Sequence, residues 1–245
     1  MARRKLTTHS AVPPAEPVET RERLKRAARR LFAQRGIDGV TVRDIVAEGG
    51  QRNAASIFYY FGTKDALVKE LIVDGAKRID DRRNAAFDEL ERRSTAPSLR
   101  KVVETLVRTS FAETGEAEGE RNFLRFIATL QISHRDLFLS ALDGHWNTGF
   151  QRALAHIRRR LPKIAPPLLS QRLVFLSVYL GNVLAAREAA LDDPARTASS
   201  LRGDLALENL IDTLVAMLVT TPSKPTLKTL PAVQTPPTRA RRPSP

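Results

Sequence analysis

Between about residue 20 and residue 220 the apolar positions recur at helical spacing. No run alternates apolar and polar with enough β-branched residues for a strand. Leu24, Ala27, Ala28, Leu31 and Phe32 follow i, i+3, i+4, i+7, i+8 and mark the buried face of a first helix, residues 20–35, which Gly36 stops. A short second helix is expected at 42–48, with Val42, Ile45 and Val46 inward. Thr41 and Asp44 open it as a capping box and Gly49-Gly50 end it. Asn53 can cap a third helix that runs to Phe61, where Gly62 interrupts. Thr63 then caps a fourth, residues 64–93, with Leu67, Leu71, Gly75, Ile79 and Phe87 inward. Weaker periodicity predicts helices at 98–113, 121–133, 134–160, 168–191 and 201–220, about nine in all. Pro97, the acidic run at 114–120, Pro162 with Pro166-Pro167, and Pro194 separate them. The expected fold is all-α.

The two ends differ from this body. Residues 1–17 hold Pro13, Pro14 and Pro17 without apolar periodicity, and 221–245 are dominated by Pro, Thr, Lys and Arg. Both read as disordered arms. The net charge of +13 is concentrated with them. Residues 1–35 carry ten Lys/Arg against three Asp/Glu and residues 221–245 five against none, which leaves the body nearly neutral. Such ends suit a polyanion; the plainer reading is a solubilising tail. The chain has no cysteine, so disulfides and thiolate metal sites are excluded and a reducing, cytoplasmic setting fits. No apolar run of signal-peptide length starts the chain. The longest apolar stretches, such as residues 173–180, are too short or too polar to span a bilayer, so no membrane partner is expected.

One short stretch carries the chemistry. After the polar turn Gln51-Arg52-Asn53 come Phe58, Tyr59, Tyr60 and Phe61 without a break. Four aromatics in a row point to all sides of a helix, so some must meet solvent or a partner. Two short helices joined by a tight glycine-containing turn, after a longer amphipathic helix, have helix-turn-helix spacing. The second helix of such a pair can enter the DNA major groove. Ile57 and Phe61 then face the core, and Tyr59 and Tyr60 are left beside the groove walls.

The run Leu31-Phe32-Ala33-Gln34-Arg35-Gly36, the helix-turn-helix after it, and the frame Ser56-Ile57-Phe58-Tyr59-Tyr60-Phe61-Gly62-Thr63-Lys64 resemble the TetR family of bacterial transcriptional regulators. The resemblance is strong over residues 18–79, with the motif at about 41–61; past residue 90 it is only architectural, and the second domain is taken as 80–220. It implies an N-terminal three-helix DNA-binding domain and a C-terminal helical bundle for ligand binding and dimerisation. It further implies a ligand-responsive repressor, with no enzymatic activity and no cofactor, that binds an inverted-repeat double-stranded operator as a homodimer. Family positions assign Arg43, Arg52, Asn53, Ala54 and Ala55 to base edges, and Thr41, Ser56, Tyr59, Tyr60 and Lys64 to phosphates. Asn can pair adenine, Arg guanine, and an Ala methyl can meet thymine. Asn53 reads at least as well as the helix cap. Two departures stand out: a Gly-Gln-Arg-Asn turn one residue longer than the commonest form, and Phe58, without a hydroxyl, where Tyr is frequent. Phe58 is expected half-buried.

The family's effector region maps to the middle helices. Phe126, Trp146, Phe150, Phe175 and Tyr179, with His134, Asn147 and Asn182 as polar markers, are candidates to line an apolar pocket for a small hydrophobic or aromatic effector; each also reads as plain core. Ser177, Gly181, Ala185 and Ala189 recur every fourth residue on one helix, and Leu207, Leu210, Ile211, Leu214 and Leu218 form the apolar face of the next. These are the candidate dimer surface, against packing within one chain. His134-Arg135-Asp136-Leu137 spells the start of a kinase catalytic loop, but Ala141 stands where the metal-binding Asn belongs, and the segment reads as a helix start. His145 and His156, eleven apart, fall on one face of the expected 134–160 helix, without metal-ligand spacing. The competing reading from another class is a basic helical protein whose arms bind RNA or an anionic membrane without reading sequence.

Overall fold

The computed structural model describes residues 17–111, 122–192 and 199–231. Among these the chain forms eleven α-helices: α1 Pro17–Arg35, α2 Val42–Glu48, α3 Ala55–Phe61, α4 Lys64–Arg93, α5 Leu99–Arg108, α6 Phe123–Ser133, α7 Arg135–Leu142, α8 Thr148–Arg160, α9 Pro166–Asp192, α10 Asp204–Val219 and α11 Lys224–Lys228. A 3-10 turn at Ser199–Leu201 precedes α10, and no strand occurs among the described residues.

The second to fourth helices fall where local signals place them, while α1 begins at Pro17, three residues before the expected start and inside the arm expected to be disordered. Leu24, Ala27, Ala28, Leu31 and Phe32 are the buried apolar positions of α1, and Gly36 follows at φ 71°. Such a φ suits a residue without Cβ. Thr41 accepts from the Asp44 amide while Asp44 accepts from the Thr41 amide at 2.7 Å, a complete capping box. Thr63 accepts from the Ala66 amide at 3.0 Å and starts α4.

Later boundaries depart from the periodicity. The expected helix at 98–113 stops at Arg108, where Thr109 and Ser110 turn. Arg83, 8 % exposed on α4, donates to the Thr109 and Ser110 hydroxyls at 3.3 and 2.9 Å, and Arg82 donates to the Thr109 carbonyl at 3.1 Å. Cations thus meet the negative end of α5. The expected 134–160 helix is two helices. Asp143, Gly144 and Trp146 take φ values of 44°, 74° and 58°, which break it before α8. His145 therefore lies in a loop and His156 in α8, so the two do not share a helix face. The tail expected to be disordered contains α11. Residues 1–16, the acidic run 114–120 and residues 232–245 lie outside the described residues.

Two apolar clusters result. The first joins α1–α3 and the first part of α4 to Phe123, Phe126 and Leu130 of α6, with Phe32 and Phe126 stacked at 5.9 Å. The second joins Phe87 and Leu90 of α4 to α5, α8, α9 and α10. Buried carboxylates fasten helix starts to both. Asp80 of α4 accepts from the Gly149 amide at 2.8 Å and from the Thr148 hydroxyl at 2.7 Å, opening α8. Glu188 of α9 accepts from the Arg125 amide at 2.9 Å, opening α6. Each carboxylate meets a helix N-terminus whose amides lack partners within the helix. Burial pushes the Glu188 carboxyl up to about 7 against those bonds.

By length and composition α9 can cross a membrane, which corrects the shorter apolar stretch read from sequence, but 44 % of that window is buried in this fold.

Candidate nucleic-acid interface

α3 has two faces. Ile57 and Phe61 close on the first cluster at 0 % and 9 % exposure, while Phe58 and Tyr59 stand at 58 % and 80 %. Phe58 is therefore exposed rather than half-buried. A seven-residue helix has room for one buried stripe, and Ile57 and Phe61, four apart, take it. The unbroken aromatic run was the signal that could have found Phe58. Tyr60 is half-buried, edge-on to Tyr59 at 4.9 Å.

Around this face Thr41, Arg43, Arg52, Asn53 and Ala55 are exposed, and Ala54 and Ser56 partly so. Four side chains have structural duties that limit what they can offer a ligand. Asn53 Oδ1 accepts from the Ala55 amide at 2.8 Å, a local turn one residue before the Ala54 cap position of α3, so its oxygen is engaged and its amide nitrogen is the group it can offer. The Ser56 hydroxyl donates to the Asn53 carbonyl at 2.8 Å and can still accept. Lys64 Nζ donates to the carbonyls of Ile37 and Val40, both at 2.6 Å, and lies 5.7 Å from the Phe32 ring centre. Its ammonium ties the α1–α2 loop to α4, and the phosphate role assigned by pattern has this competitor. The Thr41 hydroxyl and amide hold the Asp44 carboxyl below its ordinary pKa, so the capping box stays ionised at neutral pH. The opening turn of α2, beside Arg43, is thereby fixed.

Residues 24–71 match the family model described as bacterial regulatory proteins of the tetR family, and residues 104–217 match that of the tetracyclin repressor-like C-terminal domain. The chain belongs to the TetR family. The second match extends the likeness well past the segment where motif residues carry it. The HTH-type transcriptional repressor AcnR of Corynebacterium efficiens is 38 % identical over 64 residues, 26 % of this chain and 34 % of that protein. The HTH-type transcriptional repressor KstR2 of Mycolicibacterium smegmatis is 34 % identical over 61 residues, 25 % of this chain and 29 % of that protein. The matched segment thus spans about a third of each curated relative. Among solved structures, the TetR-family regulator PfmR of Thermus thermophilus is 16 % identical, with 80 % of this chain and 97 % of that one covered at a TM-score of 0.43.

Away from the TetR-family head, the candidate effector residues do not converge on one cavity. Phe126 is fully buried in the first cluster, and Phe150 packs on the second beneath Arg83. Trp146 lies in the α7–α8 loop with Lys77 5.6 Å from its ring centre, and Asn147 adjoins the start of α8. His134 pairs with Asp38 at 3.1 Å, between α6 and the loop after α1. Phe175, Tyr179 and Asn182 are exposed along α9.

The dimer candidates divide as well. Leu207, Leu210, Ile211, Leu214 and Leu218 are at most 4 % exposed and belong to the chain's own core, as does Ala185 at 7 %. A single apolar face can be buried once, and α5 and α9 already cover that of α10. Ser177 and Ala189 are partly buried, and a Cβ added at Gly181 would meet nothing within 4 Å. His156 is a core residue, 3 % exposed, with Nε2 2.6 Å from Glu91 and its ring stacked on Phe87. Among the described residues no group of three or more His, Cys, Asp and Glu could hold a metal ion.

Proposed function

We propose that this chain is a transcriptional repressor that binds an inverted-repeat operator as a homodimer and releases it when a small molecule binds. The observation that carries the reading is the outward face of α3. Phe58 and Tyr59 are held in solvent on α3, and Arg43 and Arg52 of the same helix-turn-helix are exposed as well. Exposed aromatics on a rigid short helix suit groove-wall contacts, and guanidiniums suit phosphate oxygens or guanine edges. In this assignment Arg43, Arg52 and the Asn53 amide read bases, and Thr41, Ser56, Tyr59 and Tyr60 fix register on phosphates. The working division is a head at 18–79 and a body at 80–220.

A single head reads one half-site, so the function calls for a dimer. The surface that fits is the outward stripe of α9: Val174, Phe175, Val178 and Tyr179, 42–60 % exposed, beside the open Gly181. These residues lie at i, i+1, i+4 and i+5 on a helix whose opposite face is buried in the second cluster. Val178→Arg should convert a stable dimer into a monomer in sedimentation. Unchanged dimerisation would exclude this stripe.

Operator binding is tested by substitution on the same helix-turn-helix. Arg43→Ala should relax preference at particular base pairs, and Tyr59→Phe should weaken all sequences alike. If Arg43→Ala leaves the preferred sequence unchanged, its assignment to bases is wrong.

A further inference from the structure

A recess of about 500 Å3 lies along the flank of α1, and no residue of α3 or α4 lines it. Its long wall is one helical face carrying Arg23, Arg26 and Arg30, at i, i+3 and i+7, with Arg29 beside them. The end of α2 at Glu48, the start of α6 at Asn122 and the end of α9 at Asp192 close it. The recess therefore touches the head on one side and the body on the other.

Its charge is unbalanced. Glu48 is taken by Arg30, and Asp192 is taken by Arg125, which also bonds Asn122 Oδ1. Arg23 Nε is buried without a hydrogen-bond partner among the described residues, and Arg26 is exposed and makes no ion pair among them. Arg29 is 4 % exposed; burial and then Arg78 push its pKa down, and Glu188 opposes them. Like charges at i, i+3 and i+4 on one helix repel. Guanidiniums held in a recess, with low-dielectric protein behind them, focus a positive potential.

We propose that this arginine recess binds a small organic anion carrying two or more carboxylate or phosphate groups. Guanidinium forks match both group types through paired hydrogen bonds. A single tetrahedral anion would leave most of the space unfilled. The volume is that of ordinary small-molecule sites, while four arginines in its lining disfavour an apolar occupant. The anion would join α1 to the start of α6 and so stiffen the joint between head and body. If the DNA-binding reading above holds, this coupling makes anion and operator affinities interdependent.

The test is calorimetric titration of the full chain, without DNA, at near-physiological salt, with tricarballylate and with tripolyphosphate as probes and sulfate as a single-group control. Saturable binding of at least one polyvalent probe is expected, about one per chain, with none for sulfate. The probe that binds assigns the carboxylate or the phosphate class. Arg26→Ala and Arg23→Ala should each weaken binding about tenfold or more, and Arg92→Ala, on the far end of α4, should not. Thermal melts check that the variants fold; Arg26 is exposed, so its truncation leaves the core intact. Absence of saturable binding by both probes overturns the site. So does binding unchanged in the Arg23→Ala, Arg26→Ala double variant, which would place the anion on the basic arms. Operator affinity is then measured with and without the bound probe. An unchanged affinity removes the coupling and leaves the site, whereas failure to bind any operator removes the repressor reading and leaves the calorimetric result standing.

Discussion

The cluster beneath the helix-turn-helix and the cluster beneath α9 and α10 are built from different kinds of contact. In the first, most partners are close in sequence: α1, α2, α3 and the start of α4 pack within residues 24–72, and α6 adds Phe123, Phe126 and Leu130 from far along the chain. In the second, Phe87 and Leu90 share one core with residues as distant as Leu218. The lesson lies in the exception. The head, which looks self-contained from its motif, is completed by an aromatic pair from the body, and Phe126 stacked on Phe32 is where the two regions become one structure.

The largest effect that can break this comparison is therefore Phe126→Ala. Removing a fully buried ring should cost about 3–5 kcal/mol in chemical denaturation, and DNA binding should fall with it. A head that keeps its stability and its DNA binding would show that α6 is not part of its core. Gly75→Ala probes the neighbouring contact of α6, that of Phe123 with α4. A Cβ there would lie 2.0 Å from Phe123 Cε2, so the ring must move, at about 1–3 kcal/mol. Next in size is Tyr59→Ala. Its ring is 80 % exposed, so DNA affinity should drop about tenfold, about 1.4 kcal/mol, while the melting temperature stays put. A stability loss comparable to that of Phe126→Ala would make Tyr59 a core residue and remove it from the interface.

The contrast also explains how much was legible beforehand. Capping boxes, cap threonines and glycine stops are local signals, so α1 to α4 and the inward Ile57 and Phe61 follow from the order of residues. The split of 134–160 does not, because it depends on Asp143 and Trp146 adopting positive φ around one glycine. The bundle surfaces were hidden for another reason. Periodicity shows that α9 and α10 are apolar, but not which helix covers which face. α10 gives its stripe to its own chain, and Phe175 and Tyr179 turn outward instead of lining a pocket. The arginines of α1 read only as part of a basic end suited to a polyanion, because the fold alone brings Asn122 and Asp192 against them.

Smaller effects sharpen the comparison. Thr41→Ala removes the cap of α2 and should cost about 1 kcal/mol. Two carboxylates give pH dependences of opposite sign. Glu188, raised to about 7 by burial, binds a proton in the folded state that the unfolded state releases above about pH 4.5, so stability should fall as pH rises from there to 7. Glu188→Gln should flatten that slope. Glu91, lowered to about 2 by its bonds from Arg152 and His156, contributes stability above pH 4.5 that is lost as pH falls toward 2. Melting temperatures across pH 2–8 for the parent, Glu188→Gln and Glu91→Gln separate the two; an unaltered profile in Glu188→Gln would place that slope elsewhere.

The central claim is that the helix-turn-helix of α2 and α3 reads sequence. Its most direct test is selection of genomic fragments by the purified protein at near-physiological salt with competitor DNA, followed by footprinting of those retained. Protection of a short inverted repeat, with half-sites about one helical turn or a multiple of it apart, is the expected result. Uniform retention with no shared site would contradict it, because binding would then come from the charge at the chain's ends and not from the helix-turn-helix.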